Sequence, residues 1–170
     1  MELCFNEMTV MKNGALPEDI ALCAQAGFSA VELRKGTLLR YLRGGGTLEA
    51  LRQTLEEQHV RAASLNALES ISFQTKAGGR MLRELSDRLF MVHVSDCPAR
   101  APFTAQRAES YWPGEGDAPL EELLRSVRAT GYDGPCSVEV MDPNVLALPA
   151  GDAIRRAAET MKPLLARVER

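Results

Sequence analysis

Short apolar runs along this chain alternate with longer stretches in which apolar residues recur every three to four positions, which predicts βα units and a parallel sheet. The first run is Glu2 to Asn6. Pro17 to Ala26 follows as a helix, with Ile20, Leu22, Cys23 and Ala24 on its apolar face, Pro17 in its first turn and Gly27 just past its end. Phe28 to Arg34 is the second strand. Tyr41 and Leu42 belong to a short helical turn that Gly44-Gly45-Gly46 breaks. Thr47 is placed to cap a helix from Leu48 to Gln58, and Val60 to Leu68 reads as the third strand. Arg80 to Arg88 has helical propensity over about two turns. Leu89 to Val94 is the fourth strand and, as the most apolar, is expected at the centre of the sheet. A long loop from Ser95 to Ala118, rich in proline and glycine, separates it from a helix at Leu120 to Thr130. A fifth strand, Pro135 to Val140, and a terminal helix, Gly151 to Val168, complete the pattern. Five strands fall short of a closed (β/α) barrel, which has eight strands and about 250 residues. The expected fold is therefore α/β, a shortened and incomplete (β/α) barrel of about five parallel strands with helices outside. In it the stretch from Leu68 to Leu89 is long enough for a crossover that makes the third and fourth strands neighbours.

Composition narrows the function classes without choosing one. The chain has 170 residues, 45% of them hydrophobic and 25% charged, as an ordinary single globular domain does. A formal net charge of -3 offers no basic field for nucleic acid, and no apolar run is long enough to span a bilayer, so neither is expected as a partner. The first residues lack the basic and apolar regions of a signal peptide. Four cysteines, Cys4, Cys23, Cys97 and Cys136, form no CxxC pair and read as structural thiols of a reducing cytoplasm. There is no P-loop, GxGxxG, GxSxG or zinc-finger spacing.

In barrel-type proteins chemistry sits at the carboxyl ends of strands and in the loops that follow. Asn6, Glu7, Glu32, Arg34, Asn66, His93, Asp96, Glu139 and Asp142 pass that positional filter. His93 and Glu139 are the strongest pair, because imidazole nitrogen and carboxylate oxygen both ligate Mn²⁺, Zn²⁺ or Co²⁺. Against this stand a hydrogen-bonded core histidine and a strand-end carboxylate paired with an arginine. Asp96, three residues beyond His93, is a candidate to orient it. Glu32 and Arg34 share a strand face by the period of two and can pair with each other. Asn66 can bind a substrate hydroxyl or cap a turn, and Trp112 can cover a ligand's apolar face or pack at the surface.

These residues carry a resemblance. Leu3-Cys4-Phe5-Asn6-Glu7, Val31-Glu32-Leu33-Arg34 and Leu65-Asn66-Ala67-Leu68 resemble the first three strands of the sugar phosphate isomerase/epimerase family, and inosose isomerases most of all. Val92-His93-Val94-Ser95-Asp96, Tyr111-Trp112-Pro113-Gly114-Glu115-Gly116 and Ser137-Val138-Glu139 resemble its last two strands and the loop between them. Residues 1–80 thus resemble three βα units and 89–170 two more, with about three units absent between them. The resemblance implies a xylose-isomerase-like barrel with one divalent metal (Mn, Zn or Co), held by two acidic residues, a histidine and a final glutamate. By that likeness His93 is the ligand histidine, and Glu139 is both the final ligand and a catalytic acid/base. Glu32, Asn66, Asp96 and Trp112 are expected on the substrate side.

The implied activity is proton transfer next to the carbonyl of a small sugar or polyol through an enediolate. Glu84 and Asp87 sit in the joining segment and do not replace the absent ligands by sequence alone. Two readings follow: a metal-dependent isomerase or epimerase, with a second copy covering the open sheet edge, or a noncatalytic remnant that binds sugars weakly or oligomerises. A DNA-repair endonuclease on a related barrel would need more ligands and a basic face.

Overall fold

The structure, a computed structural model, describes residues 1–66, 90–98 and 109–169. Its strands are β1 (Glu2–Asn6), β2 (Ala30–Arg34), β3 (Arg61–Asn66), β4 (Val92–Val94) and β5 (Pro135–Val138). They form one sheet in the order β3-β2-β1-β5-β4, and every pairing is parallel. The helices are α1 (Leu16–Ala26), α2 (Lys35–Arg43), α3 (Leu48–Glu57), α4 (Leu120–Arg128) and α5 (Ala150–Val168).

Local chemistry sets the helix ends. Gly27, at φ 80°, closes α1: its N–H reaches the Ala24 carbonyl and that of Phe28 reaches Cys23. A side chain there is disfavoured by the left-handed backbone, and the Lys162 ammonium, which donates to the Ala26 carbonyl at 2.6 Å, would have to move aside for it. Thr47 caps α3 as expected, its hydroxyl accepting from the Ala50 N–H at 3.1 Å. The turn expected around Tyr41 is longer, a nine-residue helix.

The period of two then divides the sheet. Phe5, Val92, Val94, Cys136 and Val138 face outward into the larger core, against Ile154, Ala157, Met161 and Leu164 of α5. Val31 and Leu33 face the same way into a smaller core with Leu16, Ile20, Leu51 and Val60. The alternate positions, Asn6, Glu32, His93 and Ser137, therefore share the opposite face.

Two expectations about the sheet are corrected. Among the described residues the fourth strand lies at an edge and β1 is central. The apolar content of β4 reflects its outer face, where Val92 and Val94 enter the core, while Phe90 ahead of it is exposed. The expected pairing of the third and fourth strands is absent among the described residues, where they form the two edges. The edges do approach: the Ser64 hydroxyl lies 3.9 Å from the Met91 sulfur. Five strands closed by a backbone ladder would leave an interior narrower than that of eight, which side chains already fill. Here that interior must hold the polar set on the inner face. The segment expected as a joining helix, Arg80 to Arg88, lies outside the described residues, as do Leu68 and Leu89.

Candidate active site

The inner face carries a connected chain of polar groups. Glu32, on β2, is 3% exposed, and its Oε2 accepts from Asn6 Nδ2 at 2.9 Å and from the Ser137 hydroxyl at 3.1 Å. The same oxygen lies 2.7 Å from His93 Nε2. The other ring nitrogen, Nδ1, lies 3.3 Å from Glu139 Oε2. Strand register explains the convergence: Asn6 is opposite Glu32 in the β1–β2 ladder, and His93 is opposite Ser137 in the β4–β5 ladder. The β2–β3 register shifts between Val31 and Glu32, a device that re-aims side chains beside functional sites. Glu139 follows the last residue of β5, and its N–H still reaches the Val94 carbonyl at 3.1 Å.

Charge follows from this geometry. Burial works against a charged imidazole, but the hydrogen bonds and negative charges of Glu139 and Glu32 outweigh it and hold the His93 pKa up at about 10. His93 is therefore an imidazolium between two carboxylates at neutral pH, with Glu139 the more open of the two.

Each expected residue can now be placed. His93 faces the interior and meets Glu139. Glu32 joins them rather than pairing with Arg34, whose N–H instead donates to Glu7 Oε2 at 2.7 Å. Asp96 does not orient His93. Its Oδ1 accepts from the N–H groups of Cys97 (2.8 Å) and Ala118 (3.0 Å), and its Oδ2 from that of Gly114 (2.9 Å). At 2% exposure that carboxylate is the organiser of the loop after β4. Trp112, expected at a ligand or on the surface, is 7% exposed within the larger core. Asn66 ends β3 opposite Arg34. The cysteines are free, and burial pushes the Cys4 and Cys136 thiols up to about 12, which suits structural residues.

Of the other participants, Asn6 passed the positional filter without being given a role, and Ser137 was not singled out. Ser137 had a usable signal: it lies two residues before Glu139 and so on the same face. A depression of about 460 Å³ lined by Ser29, Arg52, Leu55, His59, Val60 and Arg61 lies at the amino ends of β2 and β3, away from these groups.

The donor types suit a divalent metal, but their arrangement does not. Each ring nitrogen faces its own carboxylate, so no single point is shared by both carboxylates and a ring lone pair. Among the described residues no group of three His, Cys, Asp or Glu side chains is arranged to hold a metal ion.

A parallel sheet flanked by helices, with polar and ionisable groups gathered on its inner face, is the arrangement found in proteins of the (β/α) barrel class. Residues 73–164 match the family model described as xylose isomerase-like TIM barrel, and the chain belongs to that family. It is 30% identical over 78 residues to an inosose isomerase of Halalkalibacterium halodurans, a match covering 46% of this chain and 28% of that protein. It is 36% identical over 58 residues to a fructoselysine 3-epimerase of Escherichia coli O157:H7, covering 34% of this chain and 19% of that one. The matched segments thus span less than a third of those relatives. Among solved structures, IOLI protein with a bound zinc atom superposes with a TM-score of 0.72 at 17% identity, spanning 98% of each chain. A xylose isomerase domain protein of Alicyclobacillus acidocaldarius gives 0.73 at 14% identity, spanning the whole of both. No helix among the described residues is long and apolar enough to cross a membrane.

Proposed function

We propose that this chain is an isomerase of small polyols or sugars that moves a proton between the carbons of an α-hydroxy carbonyl compound. The observation that carries this reading is the contact of His93 with both Glu32 and Glu139 on the inner face. Similarity to inosose isomerases and a fructoselysine epimerase supports the substrate class.

Glu139 is the general base. Its carboxylate takes the proton from the carbon bearing the hydroxyl, the C–H electron pair forms the C=C bond of the enediol, and the carbonyl oxygen takes up negative charge. The His93 imidazolium is the nearest positive charge and proton donor, and it supplies the proton to that oxygen. Glu139 then returns its proton to the neighbouring carbon, the second hydroxyl gives its proton back to His93, and the carbonyl has moved by one position. One base on one face suffices for this 1,2-isomerisation, whereas epimerisation by inversion needs groups on both faces. The arrangement therefore favours isomerisation. A second copy of the chain packed against β3 or β4, the edge strands among the described residues, belongs to the same proposal.

Incubation with an inosose or a ketose in D₂O tests it, with ¹H NMR following loss of the proton next to the carbonyl. Exchange in the wild type, abolished in Glu139→Gln, supports the reading. A folded wild-type protein that catalyses no exchange on any inosose or ketose would leave the noncatalytic reading.

A further inference from the structure

We propose that the inner-face site of this chain has no resident divalent metal, and that the His93 ring, fixed by Glu32, joins the two carboxylates where a cation would otherwise be required. The inference rests on the proposed site but not on its turnover.

The argument is geometric. A metal ligand histidine must aim one lone pair at the ion, and the carboxylate ligands must converge on the same ion at about 2.0–2.2 Å. The lone-pair directions of Nδ1 and Nε2 diverge in the plane of the ring. Glu32 occupies the Nε2 side at 2.7 Å and Glu139 the Nδ1 side at 3.3 Å. An ion on either nitrogen can thus use at most one of the two carboxylates without turning the ring over.

Turning the ring is opposed from behind. Glu32 Oε2 is held by Asn6 at 2.9 Å and by Ser137 at 3.1 Å, and Glu32 is 3% exposed. Asn6 is itself anchored, its Oδ1 accepting from the Met8 N–H at 2.8 Å. Moving Glu32 onto a metal would strip three hydrogen-bonding groups, two of them fully buried, of their shared acceptor. Among the described residues the remaining pair, one nitrogen and one carboxylate, is half of an ordinary four-ligand set.

Glu32 is accordingly a positioning residue that acts through His93. Its removal releases the ring and frees Nε2 as a ligand.

The test is calorimetric titration of Mn²⁺ and Zn²⁺ into the chelator-treated full chain, with ¹⁵N NMR of the histidine ring nitrogens before and after metal. The expected result is no saturable binding tighter than millimolar that depends on His93, and His93 nitrogen signals unmoved by equimolar Zn²⁺. In Glu32→Gln the His93 signals should move, while the conservative Glu32→Asp keeps part of the wild-type pattern. Micromolar binding that His93→Gln abolishes, or a metal-induced shift of the His93 nitrogens in the wild type, overturns the proposal. Should His93→Gln fail to fold, the wild-type NMR titration decides alone. Both readouts are taken without substrate, so metal binding in a protein that still exchanges deuterium sinks this inference and spares the isomerase reading. Lack of both binding and exchange does the reverse.

Discussion

Glu32, in the middle of β2, and Glu7, just past the end of the neighbouring β1, are both almost wholly buried carboxylates, yet they are treated differently by the fold. Glu32 has Asn6, Ser137 and His93 around one oxygen. Glu7 has the Arg34 N–H on one oxygen, and its other oxygen is buried with no hydrogen-bond partner among the described residues. Asp19, also buried, has an unpartnered oxygen of its own, and its charge acts on Glu7. Burial, reinforced by nearby negative charge, pushes both Glu7 and Asp19 up to about 7. A buried carboxylate given donors becomes a fixed point for chemistry. One left short of donors becomes a cost that grows as it ionises.

The largest expected effect falls on the partnered side. Glu139→Gln keeps the shape of the site but removes the base, and deuterium exchange should fall by a factor of about 10² to 10⁴. Retained exchange would move the base elsewhere. Next comes Glu32→Leu, which leaves an imidazolium and two polar side chains short of their acceptor. A loss of about 3–5 kcal/mol in urea unfolding is expected, and a neutral result would show that the network contributes little.

On the other side the sign reverses. Glu7 and Asp19 have pKa values raised on folding, so the folded state keeps protons that the unfolded chain has released. Their favourable contribution is complete below the unfolded values near 4 and is lost as pH rises through about 7. Glu7→Gln and Asp19→Asn should therefore each raise stability at about pH 8, on the order of 2 kcal/mol, with the gain vanishing near pH 4. Thermal melts across that range would show it, and a destabilised variant at high pH would mean that the charge is compensated.

The smallest effect belongs to the loop that Asp96 organises. A Cβ at Gly116 would overlap Asp96 Oδ1 and lie 2.6 Å from the Cys97 carbonyl oxygen. Gly116→Ala should cost about 1–3 kcal/mol and alter Trp112 fluorescence, leaving the ring nitrogens of His93 unmoved. A shift at His93 would tie the loop to the site more tightly than the hydrogen bonds indicate.

Much of this was legible in the sequence because of the period of two. Once Val92 and Val94 are assigned to the core, His93 must face the other way, and the same argument turns Glu32 and Glu139 inward. Strand order was less legible. The apolar content that suggested a central β4 belongs to its helix-facing side, and content on one face says nothing of how many neighbours a strand has. Asp96 shows a second limit. A carboxylate just after a strand has the same sequence signature whether it meets a ligand or, as here, three loop N–H groups. The joining segment and its Glu84 and Asp87 lie outside the described residues.

The central claim is that His93 stands protonated between Glu32 and Glu139, and ¹⁵N NMR of the ring nitrogens tests it most directly. The chain has only two histidines, so a His59→Gln background isolates the signal. At about pH 8, where an ordinary histidine is neutral, the account predicts that both His93 nitrogens carry protons and lose that state only as pH approaches about 10. A His93 ring with one bare nitrogen at that pH would contradict it.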